Sequence, residues 1–222
     1  MDPIPLVQRV DYLKEICRGK SVLHLGCTDW PYTQRRLAQG DLLHLELRRI
    51  TECIWGLDGD QGGLDMLAQS GIKDILQGNL ECLDSVELDR TFDVVLAGEV
   101  LEHLSNPGLF LHGVQRFMRP DGLLVITTIN AYCGFRMFRY FLRGKGGIAE
   151  PVHPDHVAYY SYSTLIHLLA RENLSVKRFY FYDLGREHRP YHLWYLNWFN
   201  DVCVGLARHL ADGLIAECKI IG

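Results

Sequence analysis

The sequence predicts an α/β protein, a three-layer sandwich in which helices cover both faces of a mostly parallel, seven-stranded sheet with one antiparallel edge strand. Three observations predict it. Short β-prone apolar runs alternate with segments of helical periodicity along most of the chain, the pattern of strands joined by right-handed crossovers. Phe92-Asp-Val-Val-Leu-Ala and Leu123-Leu-Val-Ile-Thr-Thr are nearly unbroken apolar runs, as strands buried on both faces require. The chain has 222 residues, of which 48% are hydrophobic and 23% charged, enough to build one core. The expected organisation is one domain over residues 1–222, with a variable substrate or lid segment at about 131–165 and an aromatic helix at about 190–209.

The elements follow in order. Leu6, Val7, Val10, Leu13, Ile16 and Cys17 step by three and four, which predicts a helix over 6–17 ended by Gly19. Residues 21–25 form a strand that runs into Gly26. Helices are expected at 32–38 and 43–51, and a strand at 53–57 stops at Asp58. A helix at 62–69 leads to a strand at 74–77, and the strand at 92–97 to a helix at 107–118. Pro120-Asp-Gly is a turn before the strand at 123–128. Beyond it, 131–143 is helical and basic, 144–147 is a glycine-rich hinge or lid, and 161–172 is helical. Residues 176–182 are strongly β-prone, 190–209 are helical and aromatic, and 213–221 hold the last strand.

Composition narrows the function. The formal net charge of -4 argues against broad, sequence-independent nucleic-acid binding, which needs a basic face. Seven cysteines without a CxxC pair predict reduced thiols rather than a disulfide framework or a zinc ribbon. No apolar run approaches the ~20 residues of a spanning helix, and the first residues carry charges where a signal peptide would be apolar. A cytoplasmic protein is the expectation.

The stretch FDVVLAGEVLEHLSNPGLFLHGVQRFMRPDGLLVITTIN, residues 92–130, resembles the fourth strand, following helix and fifth strand of class I (Rossmann-like) S-adenosylmethionine-dependent methyltransferases. Residues 21–83 are similar to that family in order and spacing. The resemblance implies a cofactor site at the carboxyl ends of the strands, formed by Leu25, Gly26, Cys27, Asp29, Asp58, Gly59, Asn79, Leu80, Ala97 and Gly98. Gly26 would let backbone approach the methionine part, and Asp58 would accept both ribose hydroxyls. Asn79 would accept from the adenine amine, while the Leu80 N–H serves a ring nitrogen. One motif departs: where the family has acid-x-Gly-x-Gly-x-Gly, this chain reads His24-Leu-Gly26-Cys-Thr28-Asp-Trp30, so Asp29 is the expected holder of the amino group.

Glu99, Glu102 and His103 would share a face if they form one helical turn. Two carboxylates and an imidazole suit a divalent metal (Mg, Mn or Zn), and His156 could add a ligand. The Glu-x-x-Glu-His pattern with a later histidine resembles small-RNA 2′-O-methyltransferases and the O-methyltransferases of ubiquinone biosynthesis; both imply a metal at the acceptor hydroxyl. Without metal, His103 could be a general base oriented by Glu102. A structural role for the pair is the remaining alternative.

For the acceptor, Arg136, Arg139 and Arg143 would line one helix face, followed by Lys145, with His153, Tyr159, Tyr160 and Tyr162 beyond them. His188, Tyr191, Trp194, Tyr195, Trp198 and Phe199 make an aromatic segment suited to core, lid or homodimer contact. The expected activity is O-methylation of a small polar acceptor such as a sugar, glycoside or natural-product hydroxyl. The alternatives are cyclisation or alkyl transfer of the cofactor side chain, a non-catalytic binding module, and RNA methylation.

Overall fold

Five consecutive residues, Ser21–Leu25, are all buried and form an interior strand of the sheet, β2. The computed structural model describes residues 3–148, 155–183, 185, 189 and 193–221. In chain order the strands are β1 (Leu6–Val7), β2, β3 (Cys53–Asp58), β4 (Ile75–Gln77), β5 (Phe92–Gly98), β6 (Met118–Ile129), β7 (Leu174–Tyr182) and β8 (Gly213–Ile220). The helices are α1 (Arg9–Cys17), α2 (Thr33–Gln39), α3 (Leu43–Arg48), α4 (Gln61–Gln69), α5 (Pro107–Val114), α6 (Gly134–Arg143), α7 (Tyr162–Arg171) and α8 (Trp194–Leu206).

The sheet order is β1-β7-β8-β6-β5-β2-β3-β4. All neighbours are parallel except that β8 runs antiparallel to both β6 and β7. The α/β class and the mostly parallel sheet agree with the sequence reading. The sheet has eight strands rather than seven, because Leu6 and Val7 pair with Phe181 and Tyr182 instead of opening the first helix. That helix begins at Arg9. Pro120-Asp-Gly sits within β6: Phe92 pairs with Met118 and Val94 with Leu123, so residues 119–122 bulge outward.

Apolar burial explains the layers. Leu23, Leu25, Val95, Ala97, Leu124 and Ile126 point to one face of the sheet and pack under α5 and α7 residues such as Phe110, Leu111, Leu165 and Leu169. Val22, Val94, Leu96 and Val125 point to the other, against Leu13 and Cys17 of α1 and Leu47 of α3. This is the period-two alternation of a strand covered on both sides. Local chemistry starts the helices: Asp60 Oδ2 accepts from Gly63 N at 2.9 Å at the head of α4, and Ser161 with Thr164 makes a capping box on α7.

α6 and α8 form a satellite layer. Cys133, Phe135 and Leu196 are buried together, and the Phe138 and Phe199 rings stack at 4.0 Å. Their outer side leaves Phe141 83% and Trp198 63% exposed. Among the described residues, no helix is long and apolar enough to cross a membrane, and all seven cysteines are free.

Candidate active site

Between β2 and β5 the direction of strand succession reverses, and in open α/β sheets a crevice forms at the carboxyl ends there. The loops after β2, β3 and β5 border a cavity of about 890 Å³. A neighbouring cavity of about 590 Å³ lies over the loop after β4, and the two share Leu80, His103 and Leu104. Gly26, Cys27, Asp29, Asp58 and Gly98 line the first; Gly59 and Asn79 line the second. Leu25 and Ala97 pair across β2 and β5 with their side chains in the core.

The first loop turns at Gly26, whose φ of 72° and whose contact with Val100 (2.8 Å from a Cβ placed there) both require glycine. Thr28 occupies the place of the family's second glycine. Its N–H and hydroxyl both donate to Asp58 Oδ2 at 2.9 Å, and Asp60 N donates to Oδ1 at 3.0 Å. Asp58 thus ties the first loop to the second. Room for Thr28 comes from Gly63 of α4, where a Cβ would lie 2.7 Å from the Thr28 Cβ. Asp29, left-handed at φ 58°, accepts from Arg36 Nε at 3.1 Å. Asn79 Oδ1 accepts from Glu81 N at 2.9 Å, closing its own turn.

His24 is buried on β2 beside His44 of α3. Burial, then the neighbouring His44 and Arg9, hold its imidazole well below the usual histidine range. Burial followed by Arg48 draws His44 down to about 4. Both rings are neutral.

The condition for Glu99, Glu102 and His103 to share a face is not met. Glu99 takes a left-handed φ of 56°, and Leu101–His103 is a single 3-10 turn. Glu99 lies beside Glu102 but outside the group that Glu102 forms with His103 and His156, its Oε1 accepting from Tyr182 at 2.6 Å and from Thr127 at 3.0 Å. Glu102 is fully buried; Oε2 accepts from Thr128 at 2.9 Å and Oε1 has no hydrogen-bond partner. Ligand atoms of Glu102, His103 and His156 lie within 4.8 Å of one another, and the two imidazoles meet edge to face at 4.6 Å. Glu102 O accepts from Val157 N at 2.8 Å, which brings the His156 loop to the cluster.

The two carboxylates titrate apart. Burial, reinforced by the charge on Glu99, pushes Glu102 well above the usual carboxylate range. Burial also opposes charge on Glu99, but Arg9, the Tyr182 and Thr127 hydrogen bonds and Arg136 outweigh it and hold that carboxyl down. Burial of two adjacent carboxyls favours keeping the pair singly protonated, with Glu102 the group pushed up and Glu99 the one held down.

On the acceptor side, Arg136 turns inward: it forms an ion pair with Asp212 at 2.8 Å and reaches the cavity only through that partner. Arg139 lies over the Phe135 ring at 5.6 Å, Arg143 and Lys145 are exposed, and Tyr159 faces His156 with ring centroids 6.4 Å apart. His153, His188 and Tyr191 lie outside the described residues. The sequence reading missed Arg9 and Tyr182. Arg9 lines the cavity, with its guanidinium 5.9 Å from the Tyr182 ring centroid. The available signal was an arginine two residues after an apolar pair, obscured by reading that pair as helix.

A sheet with this switch point, an acid ending β3 and an open loop after β2 define the class I, S-adenosylmethionine-dependent methyltransferase type. A family profile described as "Methyltransferase domain" matches residues 30–178, and the chain belongs to that family. Similar proteins include the mitochondrial ubiquinone biosynthesis O-methyltransferase of Schizosaccharomyces pombe, 29% identical over 133 residues, 55% of this chain and 44% of that one. The ubiquinone biosynthesis O-methyltransferase of Azorhizobium caulinodans is 33% identical over 119 residues, 51% of this chain and 42% of that one. The chain spans about half the length of these curated relatives. In fold it is similar to a SAM-dependent methyltransferase from Archaeoglobus fulgidus, with a TM-score of 0.60, 17% identity and coverage of 95% and 91% of the two chains.

Proposed function

We propose that this chain transfers the methyl group of S-adenosylmethionine to an oxygen of a small polar acceptor, such as a sugar, glycoside or natural-product hydroxyl. The observation that carries the reading is the position of His103, on the wall common to the two cavities, beside the strand-end loops that carry Asp58 and Asn79. The relatives named for O-methylation support oxygen as the methylated atom.

The residues fit the cofactor. Asp58 Oδ2 is taken by Thr28, but Oδ1 accepts only from Asp60 N, which leaves an acceptor site for a ribose hydroxyl. Arg9 supplies a cation at the cavity wall for a carboxylate. When bound, S-adenosylmethionine supplies a methyl group on a sulfonium sulfur that leaves as a neutral thioether. The chain's part is positioning and proton transfer. The acceptor oxygen forms the new C–O bond as the C–S bond breaks, and its proton passes to a ring nitrogen of His103. Glu102 braces the turn that holds His103, through its carbonyl on Val157 and its carboxyl on Thr128.

A second reading rests on the Glu102, His103 and His156 group. The partnerless, buried Oε1 of Glu102 is a ligand atom in waiting, and two imidazoles with one carboxylate suit zinc or manganese better than magnesium. A metal held there would supply Lewis acidity to the acceptor hydroxyl. His103 would then orient rather than accept the proton.

The test is product analysis with S-adenosylmethionine and a panel of hydroxylated acceptors, with and without chelator. S-adenosylhomocysteine and a methyl ether support the reading. Formation of 5′-methylthioadenosine, or no calorimetric binding of the cofactor, would sink it. Activity that survives the chelator and falls about 100-fold or more in His103→Ala supports the histidine as base; activity lost to chelator and restored by zinc or manganese supports the metal.

A further inference from the structure

His24 occupies the place where the resembled family has an acid, and its surroundings give it the opposite polarity. Alternation along β2 turns Val22 and His24 toward α1 and α3, where His24 Nδ1 meets His44 Nδ1 at 3.3 Å. The ring planes differ by 11° and the centroids are 5.5 Å apart, so the imidazoles lie edge to edge, as a hydrogen bond between ring nitrogens requires. Both are neutral, so one Nδ1 carries the proton and the other accepts it.

The remaining nitrogens decide which. His44 Nε2 is buried and has no hydrogen-bond partner. If His24 donated, His44 would need its proton on that Nε2, a buried N–H with nothing to receive it. Such orphan donors are rarer than unsatisfied acceptors. His44 therefore donates from Nδ1, and its Nε2 is a bare lone pair. Accepting at Nδ1 fixes His24 as the other tautomer, with its proton on Nε2. His24 lines the cavity, and Arg9, which also lines it, acts on the His24 charge state. Two groups that only donate therefore line the same cavity. Of the two polar ends of a methionine moiety, the carboxylate accepts and the ammonium donates.

We propose that His44 locks His24 as an Nε2–H donor, and that His24 with Arg9 forms the subsite for the cofactor's methionine carboxylate. This rests on the reading that the cavity takes S-adenosylmethionine. His24 is then a specificity-determining residue that an acid could not replace, and His44 is a positioning residue acting through it.

The test measures Kd for S-adenosylmethionine and for its decarboxylated analogue, which keeps the sulfonium and the amine. The wild type is expected to prefer the carboxylated form. In His24→Leu that preference falls about tenfold, with little change for the analogue; His24→Gln, which retains an N–H donor, recovers part of it. A lost carboxylate preference separates a recognition role from a merely structural one, which would weaken both ligands alike. Independently of any variant, ¹⁵N NMR of the wild-type histidines should show His44 protonated at Nδ1 and His24 at Nε2. An unchanged preference in His24→Leu, or the reverse tautomers, overturns the subsite while the cofactor reading stands. Failure of the wild type to bind either compound overturns both.

Discussion

Glu102→Gln removes the proton-carrying member of a buried carboxylate pair while keeping its shape. In the metal-free chain Glu102 has a raised pKa, caused first by burial and then by Glu99. Above the ordinary glutamate value of about 4.3 the unfolded chain loses this proton while the folded chain keeps it. Folding stability therefore falls as pH rises from there toward the folded pKa, by up to about 1.4 kcal/mol per pH unit for one proton. Glu99 has the opposite sign: its depressed pKa gives stability that is present above the ordinary value and lost as pH falls through the folded one. It therefore acts on the acid side of the Glu102 window. Glutamine mimics the protonated acid, so near pH 5 the variant should lie within about 1 kcal/mol of wild type, and its stability should decline less between about pH 5 and 7. Urea unfolding across that range, in chelator, measures both. A variant that keeps the full wild-type slope, or loses several kcal/mol at the acid end, would show that Glu102 is ionised and refute the shared-proton arrangement. Added zinc gives a further contrast: if Glu102 is a ligand, the metal stabilises the wild type and not Glu102→Gln.

Asp58→Ala deletes the acceptor of three hydrogen bonds, two of them from the first loop; a loss of about 1–3 kcal/mol in urea unfolding is expected, with at least about tenfold weaker cofactor binding by calorimetry. Gly26→Ala places a Cβ 2.8 Å from Val100 at a positive φ, so a loss of about 1–3 kcal/mol should appear in the same unfolding assay; wild-type stability would contradict the close approach. The exposed apolar side chains of Phe141 and Trp198 are expected to pair two copies. Sedimentation velocity should show a concentration-dependent dimer that Trp198→Glu abolishes, and a wild type that stays monomeric at every concentration would remove that role.

The central strands were legible because burial on both faces leaves mostly apolar residues in them, and Asp58 was legible because the strand ends there. What escaped the sequence has physical causes. Two residues such as Leu6 and Val7 cannot display a period, and they continue the spacing of α1 by coincidence. The left-handed turn at Glu99 is invisible because no glycine or asparagine marks it, so Glu99 seemed to share a face with His103. Arg136 sits on an amphipathic helix whose inner and outer sides depend on where α8 packs, and no local pattern reports that. The substituted glycine at Thr28 was compensated by Gly63 on another element, a pairing that only contact in space reveals.

The small strand β1 has a mechanical consequence. Leu6 and Val7 are in register with Phe181 and Tyr182, and Phe181 N donates to Pro5 O at 2.9 Å. Arg9 follows that ladder by two residues, and Tyr182 belongs to it. Two walls of the cavity, drawn from opposite ends of the chain, are thus riveted into one plate. Ligand entry cannot part them without breaking the ladder. The rest of the rim is built from loops instead, one carrying Asp29 and Trp30 and one carrying Asp155 and His156.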